Sequence, residues 1–133
     1  MRIAMLSDLK LIQMASSMAR HASSRMRVIA ENVSNADTPG FKARDVKSFS
    51  AVVNEAFTPR VSRPGHLASL RDRVVEPRVE IFEVALGPGP NGNSVSLEDQ
   101  ALRAVETQGQ HRLATSVYSK TVDILRLGLG RSR

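Results

Sequence analysis

Apolar or small residues recur at Met5, Ile12, Ala15, Ala19, Ala22, Met26, Ile29 and Val33, in alternating steps of three and four interrupted only at Asp8. This is the a/d period of a heptad pattern, and it predicts one helix over about residues 3–33, about 45 Å long at 1.5 Å per residue. Ala15, Ala19 and Ala22 leave room for a partner backbone to approach closely. A second stripe, Leu11, Met14 and Met18, widens the apolar face, so the helix is expected to touch more than one neighbour.

The other end of the chain mirrors this pattern. Ser96 can cap a helix, with Asp99 three residues on and Arg103 four beyond that. Leu102, Val105, Gly109, Leu113, Val117, Ile124 and Leu127 then follow a near-helical period, with Ala101, Ala114 and Leu125 beside them. They are the expected face toward the first helix. Gly109 costs about 1 kcal/mol against Ala in a helix interior, which predicts close packing against the alanine stretch as compensation. Gly128 and Gly130 should end the helix, leaving Arg131 and Arg133 as a basic tip.

Residues 42–93 hold every proline but Pro39 and sustain no helical period. Residues 48–57 fit a short helix, 79–84 a short strand, and the 87–93 run, GPGPNGN, a flexible joint. So poor an apolar content predicts ordering only in contact with something else. The fold class is therefore mainly α, with two long terminal helices packed as an antiparallel coiled-coil-like pair. Its parts are residues 1–41, a loop-rich middle at 42–93, and 94–133.

The first helix stops in an unusual way. Pro39 holds its own φ and turns Thr38 away from helical geometry, so the helix must end by about Asp37. Pro39 and Gly40 suit the central positions of a type II turn, which needs positive φ at the second. Asn32 and Asn35 can reach the orphan carbonyls of the last helical turn through their amides. Phe41 is the expected anchoring contact where the chain leaves.

Composition narrows the function. With 133 residues and aromatics at 4%, the core must be aliphatic, and a large aromatic-lined ligand pocket is not expected. The absence of cysteine excludes disulfides, thiolate metal sites and cysteine nucleophiles. His21, His66 and His111 fall in separate segments without metal-ligand spacing, so no catalytic residue, metal or cofactor is predicted. The amino-terminal stretch lacks the apolar core and cleavage site of a secretory leader, and no run is apolar enough to span a membrane. The net charge of +6 is scattered among acids, which reads as a solvated surface. A basic helical nucleic-acid-binding protein is the alternative that this charge leaves open, and a small helical adaptor, monomeric or in a closed oligomer, is another.

Asn32, Asn35, Ala36, Thr38, Pro39, Gly40, Phe41 and Lys42, in the order N-x-x-N-A-x-T-P-G-F-K at the end of an N-terminal helix, resemble the signature of the bacterial flagellar rod and hook proteins. Within that group, Asp37 before the Thr-Pro-Gly and Ala43-Arg44-Asp45-Val46 after it resemble the proximal rod subunits. The chain length agrees, because distal subunits carry large insertions between the helices. Residues 92–108 are similar to the family's second helix and Pro64-Gly65-His66-Leu67 to its middle, while Ser96 and His111 depart from it.

The resemblance implies a non-enzymatic structural subunit of the flagellar basal body, stacking helically in a periplasmic tube. Ile12, Ala15, Ala19, Ala22, Met26, Ile29 and Val33, with Leu102, Val105, Gly109, Leu113, Val117 and Ile124, would form the helix interface. Implied partners are copies of itself, other rod subunits, the adaptor joining rod to membrane ring, and the flagellar type III export apparatus, which it would pass without a cleaved signal. Nucleic acid and a membrane span are not implied. Phe49-x-x-x-Val53 resembles the hydrophobic element by which such subunits engage the export gate, although burial of an ordinary amphipathic turn fits the same residues.

Overall fold

The computed structural model describes residues 2–57, 79–84, 87 and 89–130. In chain order these form α1 (Arg2–Ser34), β1 (Arg44–Val46), α2 (Phe49–Phe57), β2 (Ile81–Glu83) and α3 (Leu97–Gly130). The two long helices pack against each other in antiparallel sense: Asn32 near the end of α1 bonds Gln100 near the start of α3, and Arg25, two turns back, faces Glu106.

Both helices bury a seam at heptad spacing. On α1 the line runs through Ala15, Ala22 and Ile29, with Ile12, Ala19 and Met26 half-buried beside it. On α3 it runs through Gln100, Thr107, Ala114 and Thr121, seven residues apart. Most of these seam side chains are small, which lets the two backbones approach closely. The threonines enter a dry seam because each satisfies its hydroxyl within its own helix: Thr107 donates to the Arg103 carbonyl at 2.7 Å and Thr121 to that of Val117 at 2.8 Å.

The apolar residues expected on that face of α3 are turned outward. Leu102, Val105, Leu113 and Ile124 are 73, 70, 58 and 59% exposed. Val117 is half-buried, and Val33 on α1 is exposed. Gly109 is exposed too, and a Cβ there would meet nothing within 4 Å, so close packing against α1 does not explain it. The rotation of α3 is set by polar ties at its first turns, from Gln100 and Arg103, which bring positions 100, 107, 114 and 121 round to α1.

β1 and β2 pair antiparallel, with Arg44 opposite Glu83, Asp45 opposite Phe82 and Val46 opposite Ile81. The short helix and strand expected in the middle are thus present. Ser48 caps α2, its hydroxyl accepting from the Ala51 amide at 3.3 Å, and Val52 of that helix is buried. Ser96 caps α3 through the Asp99 amide, and α3 runs on through Gly128 to Gly130. The expectations for Pro64-Gly65-His66-Leu67 and for Arg131 and Arg133 fall outside the described residues.

Candidate functional site

The chain's exit from α1 is built as the turn chemistry requires. Phe41 N–H donates to the Thr38 carbonyl at 3.2 Å, closing a turn around Pro39 and Gly40, and Gly40 has φ +74°. Asn35 returns its side-chain amide to the Glu31 carbonyl at 2.8 Å, and Thr38 donates its hydroxyl to Asn35 Oδ1 at 3.2 Å. Phe41 is half-buried, with the Arg44 guanidinium 5.8 Å from its ring centre and paired beyond it to Glu31 at 2.9 Å. Lys42 is exposed and reaches the Gly92 carbonyl at 3.5 Å.

Asn32 does more than end a helix. Its amide donates to the Arg44 carbonyl at 2.6 Å while its Oδ1 accepts the Arg44 N–H at 3.0 Å, so one side chain pairs with β1 as a neighbouring strand would. The same Nδ2 donates to Gln100 Oε1 at 2.9 Å, and both side chains are 1% exposed.

The lead into α3 completes the junction. Asn93, buried, donates Nδ2 to the carbonyls of Asn35, Ala36 and Thr38 at 2.9, 2.8 and 2.8 Å, capping the open end of α1 from the far side of the sequence. Its Oδ1 accepts the Val95 N–H at 2.7 Å. Gly40 N–H donates to the Asn91 carbonyl at 3.0 Å, Ser94 N–H to the Phe41 carbonyl at 3.1 Å, and Ala43 N–H to the Ser94 hydroxyl at 2.9 Å. Gly92 has φ +75°, and a Cβ added there would stand 3.5 Å from the Gly40 Cα. Within the run expected to be a flexible joint, residues 89–93 form a hydrogen-bonded turn: Gly89 N–H donates to the Asn93 carbonyl and Gly92 N–H to the Gly89 carbonyl, each at 2.8 Å.

A charged cluster ties the same three elements. The buried Asp45 carboxylate accepts from Arg25 through two bonds of 3.0 Å, from the Val46 amide at 2.7 Å, and from Arg103. Arg103 is held in turn by Asp99 at 2.7 Å, the i,i+4 pair expected from sequence, and Arg25 has Glu106 at 3.6 Å. Burial opposes ionisation of Asp45, yet the Arg25 hydrogen bonds, the Val46 amide and the charges of Arg25 and Arg103 outweigh it and hold the carboxyl below its ordinary value. Burial likewise opposes the Arg103 charge, and Asp99 and Asp45 more than restore it.

Sequence reasoning reached the turn and missed Asn93, Gln100, Arg25 and Asp45 as its partners. The one available signal was Arg25, a charged residue set among Ala22, Met26 and Ile29 on the apolar face of α1.

Beside this junction, α2 rests on α1. His21, 1% exposed, donates Nε2–H to the Lys47 carbonyl at 2.8 Å and meets the Phe49 ring at 5.5 Å, leaving Nδ1 buried without a hydrogen bond. Phe49 and Val53 are both half-buried. The outer faces of α1 and α3 present Leu9, Leu11, Met14, Leu97, Leu102, Val105, Leu113, Ile124, Leu127 and Leu129 to solvent. Among the described residues no His, Asp and Glu side chains gather into a metal site, and no helix is long and apolar enough to cross a membrane.

Comparison with known proteins agrees with this arrangement. Residues 12–42, the α1 seam and the exit turn, match the model of the family described as flagella basal body rod protein. The flagellar basal body rod protein FlgB of Agrobacterium fabrum is 32% identical over 117 residues, covering 84% of this chain and 87% of that protein. FlgB of Aeromonas hydrophila is 56% identical over 34 residues, 26% of this chain and 25% of that protein. With the paired terminal helices, the asparagine-pinned exit turn and a relative that matches along most of its length, the chain belongs to the flagellar basal-body rod protein family.

Proposed function

We propose that this chain is a structural subunit of the proximal flagellar rod, stacking helically through α1 and α3. One observation carries this reading: after α1 and α3 have paired through small and polar residues, most of the large apolar residues of α3, from Leu97 to Leu129, remain exposed. A lone monomer gains nothing from such a face, whereas heterologous contacts between copies cover it and extend without closing. The junction then sets the angle at which the middle of the chain leaves the helical layer.

The rest follows from family membership. Copies of this chain and other rod subunits cover the α3 face, the adaptor between rod and membrane ring binds one end of the stack, and the assembled site is the periplasmic rod. Transit is through the flagellar type III apparatus, with Phe49 and Val53 as the element offered to its gate. Because Phe49 meets His21 of α1 in the folded chain, the element is offered before α2 docks.

Deletion of the gene, scored by motility and by isolation of basal bodies, tests the reading. The expected result is loss of the rod with the membrane ring retained, restored by the wild-type gene. Normal rods in the deletion strain would overturn it.

A further inference from the structure

The chain contains one Asn-Gly pair, Asn91-Gly92, and it lies in the turn that closes the junction. Asn91 is exposed. Its Oδ1 accepts the Asn93 N–H at 3.1 Å, a contact that polarises the side-chain carbonyl and would stabilise negative charge developing on that oxygen. Gly92 has no Cβ to hinder approach of its nitrogen to that carbon. What opposes attack is the Gly92 N–H, which donates to the Gly89 carbonyl at 2.8 Å and so stays protonated while the turn is closed.

We infer that Asn91 is a self-modification site, deamidating through Gly92 when the junction turn opens and protected when it is closed. The Gly92 nitrogen, having lost its proton to solvent base, attacks Asn91 Cγ. The new N–Cγ bond forms as the Cγ–Nδ2 bond breaks, and Nδ2 leaves as ammonia after taking a proton from solvent. Water then opens the succinimide. Attack at Cγ gives aspartate, and attack at the main-chain carbonyl gives isoaspartate, with the chain now running through Cγ. The net change is one water consumed and one ammonia released, with no oxidant or reductant.

The isoaspartate product reaches the junction directly. Gly40 N–H donates to the Asn91 main-chain carbonyl, and Gly92 runs so close to Gly40 that a Cβ added to it would stand 3.5 Å from the Gly40 Cα. In isoaspartate that carbonyl becomes a free carboxylate and Gly92 is joined through Cβ and Cγ instead, so the backbone course that serves both residues of the junction is lost. Damage acquired in an open chain therefore keeps the junction open. This chemistry holds whether or not the chain builds a rod.

The purified full chain, incubated in mildly alkaline buffer and mapped by peptide mass spectrometry, tests it. Wild type should deamidate slowly at Asn91 in buffer and fast in urea. Asn93→Ala, which removes the side-chain clamp on the turn, should raise the rate in buffer about tenfold. Gly92→Ala should suppress the reaction even in urea, because a Cβ then obstructs the attacking nitrogen. Amide exchange at Gly92 provides a second measure and should rise in step with the rate across these samples. Equal rates for folded and urea-unfolded wild type, no reaction at Asn91 in urea, or Asn93→Ala opening Gly92 to exchange without faster deamidation would each overturn the assignment.

Discussion

Arg25 and Asp45 meet through two parallel hydrogen bonds, Nε to Oδ1 and a terminal guanidinium nitrogen to Oδ2, each 3.0 Å long. Because Arg103 shares the same carboxylate, one side chain of β1 is gripped by both long helices. Asp45→Asn keeps the shape and removes the charge, leaving Arg25 almost buried with only Glu106 at 3.6 Å. Breaking a buried pair this way costs about 3 kcal/mol. Urea unfolding followed by helical circular dichroism should show that loss, and an unchanged midpoint would mean that the cluster contributes nothing net.

The same carboxylate makes stability depend on acid. Asp45 is held below its ordinary value of 3.8 in the folded chain, so its contribution is fully present above that value and is lost as pH falls through the lower folded one. Wild type should therefore lose stability faster than Asp45→Asn as pH drops below about 4, and the gap between them should close. Thermal midpoints from pH 7 downward check this, and parallel profiles would remove Asp45 from the acid response.

Asn93 is the piece that joins the two ends of the chain. An Asn93→Asp carboxylate would face the carbonyls of Asn35, Ala36 and Thr38 with no proton to offer. Unmade bonds at buried polar groups cost about 1–3 kcal/mol, and here the loss falls on one place. Hydrogen exchange should speed at Gly40, Phe41 and Ser94 while mid-helix amides of α1 change less. Uniform acceleration along α1 would show that the clamp and the helix open together.

How much of this was legible from sequence differs by residue. The Thr38-Pro39-Gly40 turn was, because Pro and Gly act on their own backbone and need no partner. Ser96 and Asp99 were, because capping and i,i+4 pairs are local. Asn93 and Asp45 were not: their partners lie 55–58 and 20–58 residues away, and nothing local distinguishes them from surface polar residues. The rotation of α3 was misread for a related reason. Its apolar stripe does mark an interface period, but in an assembling chain the most apolar face need not be the intramolecular one. The seam at Gln100, Thr107, Ala114 and Thr121 holds no large apolar residue and so carries little hydrophobic signal.

Gly109 follows from that correction. It lies exposed in a helix, with open space where a Cβ would stand. Gly109→Ala should stabilise the isolated chain by about 0.8–1 kcal/mol through helix propensity alone. Gly40→Ala also meets no atom, but φ +74° makes it unfavourable, by about 1–2 kcal/mol. The pair of opposite signs is read from urea midpoints, and a destabilising Gly109→Ala would mean that α3 packs there against something in the isolated chain.

The two faces of the helix pair make opposite demands on a charge. Ala22 is 1% exposed in the α1 seam, so Ala22→Asp buries an unpaired carboxylate between the helices and should unfold the isolated chain. Leu113 is 58% exposed, and Leu113→Asp should leave its helix content and urea midpoint nearly unchanged, since surface substitutions usually stay within about 0.5 kcal/mol. If α3 is covered by neighbours in the rod, that stable variant must still fail to restore motility in a deletion strain, because assembly would bury its charge. The decisive measurement pairs the two readouts on one protein. A Leu113→Asp chain that is folded and also builds rods would place the subunit interface elsewhere on α3, whereas a folded chain that builds none assigns this face to assembly.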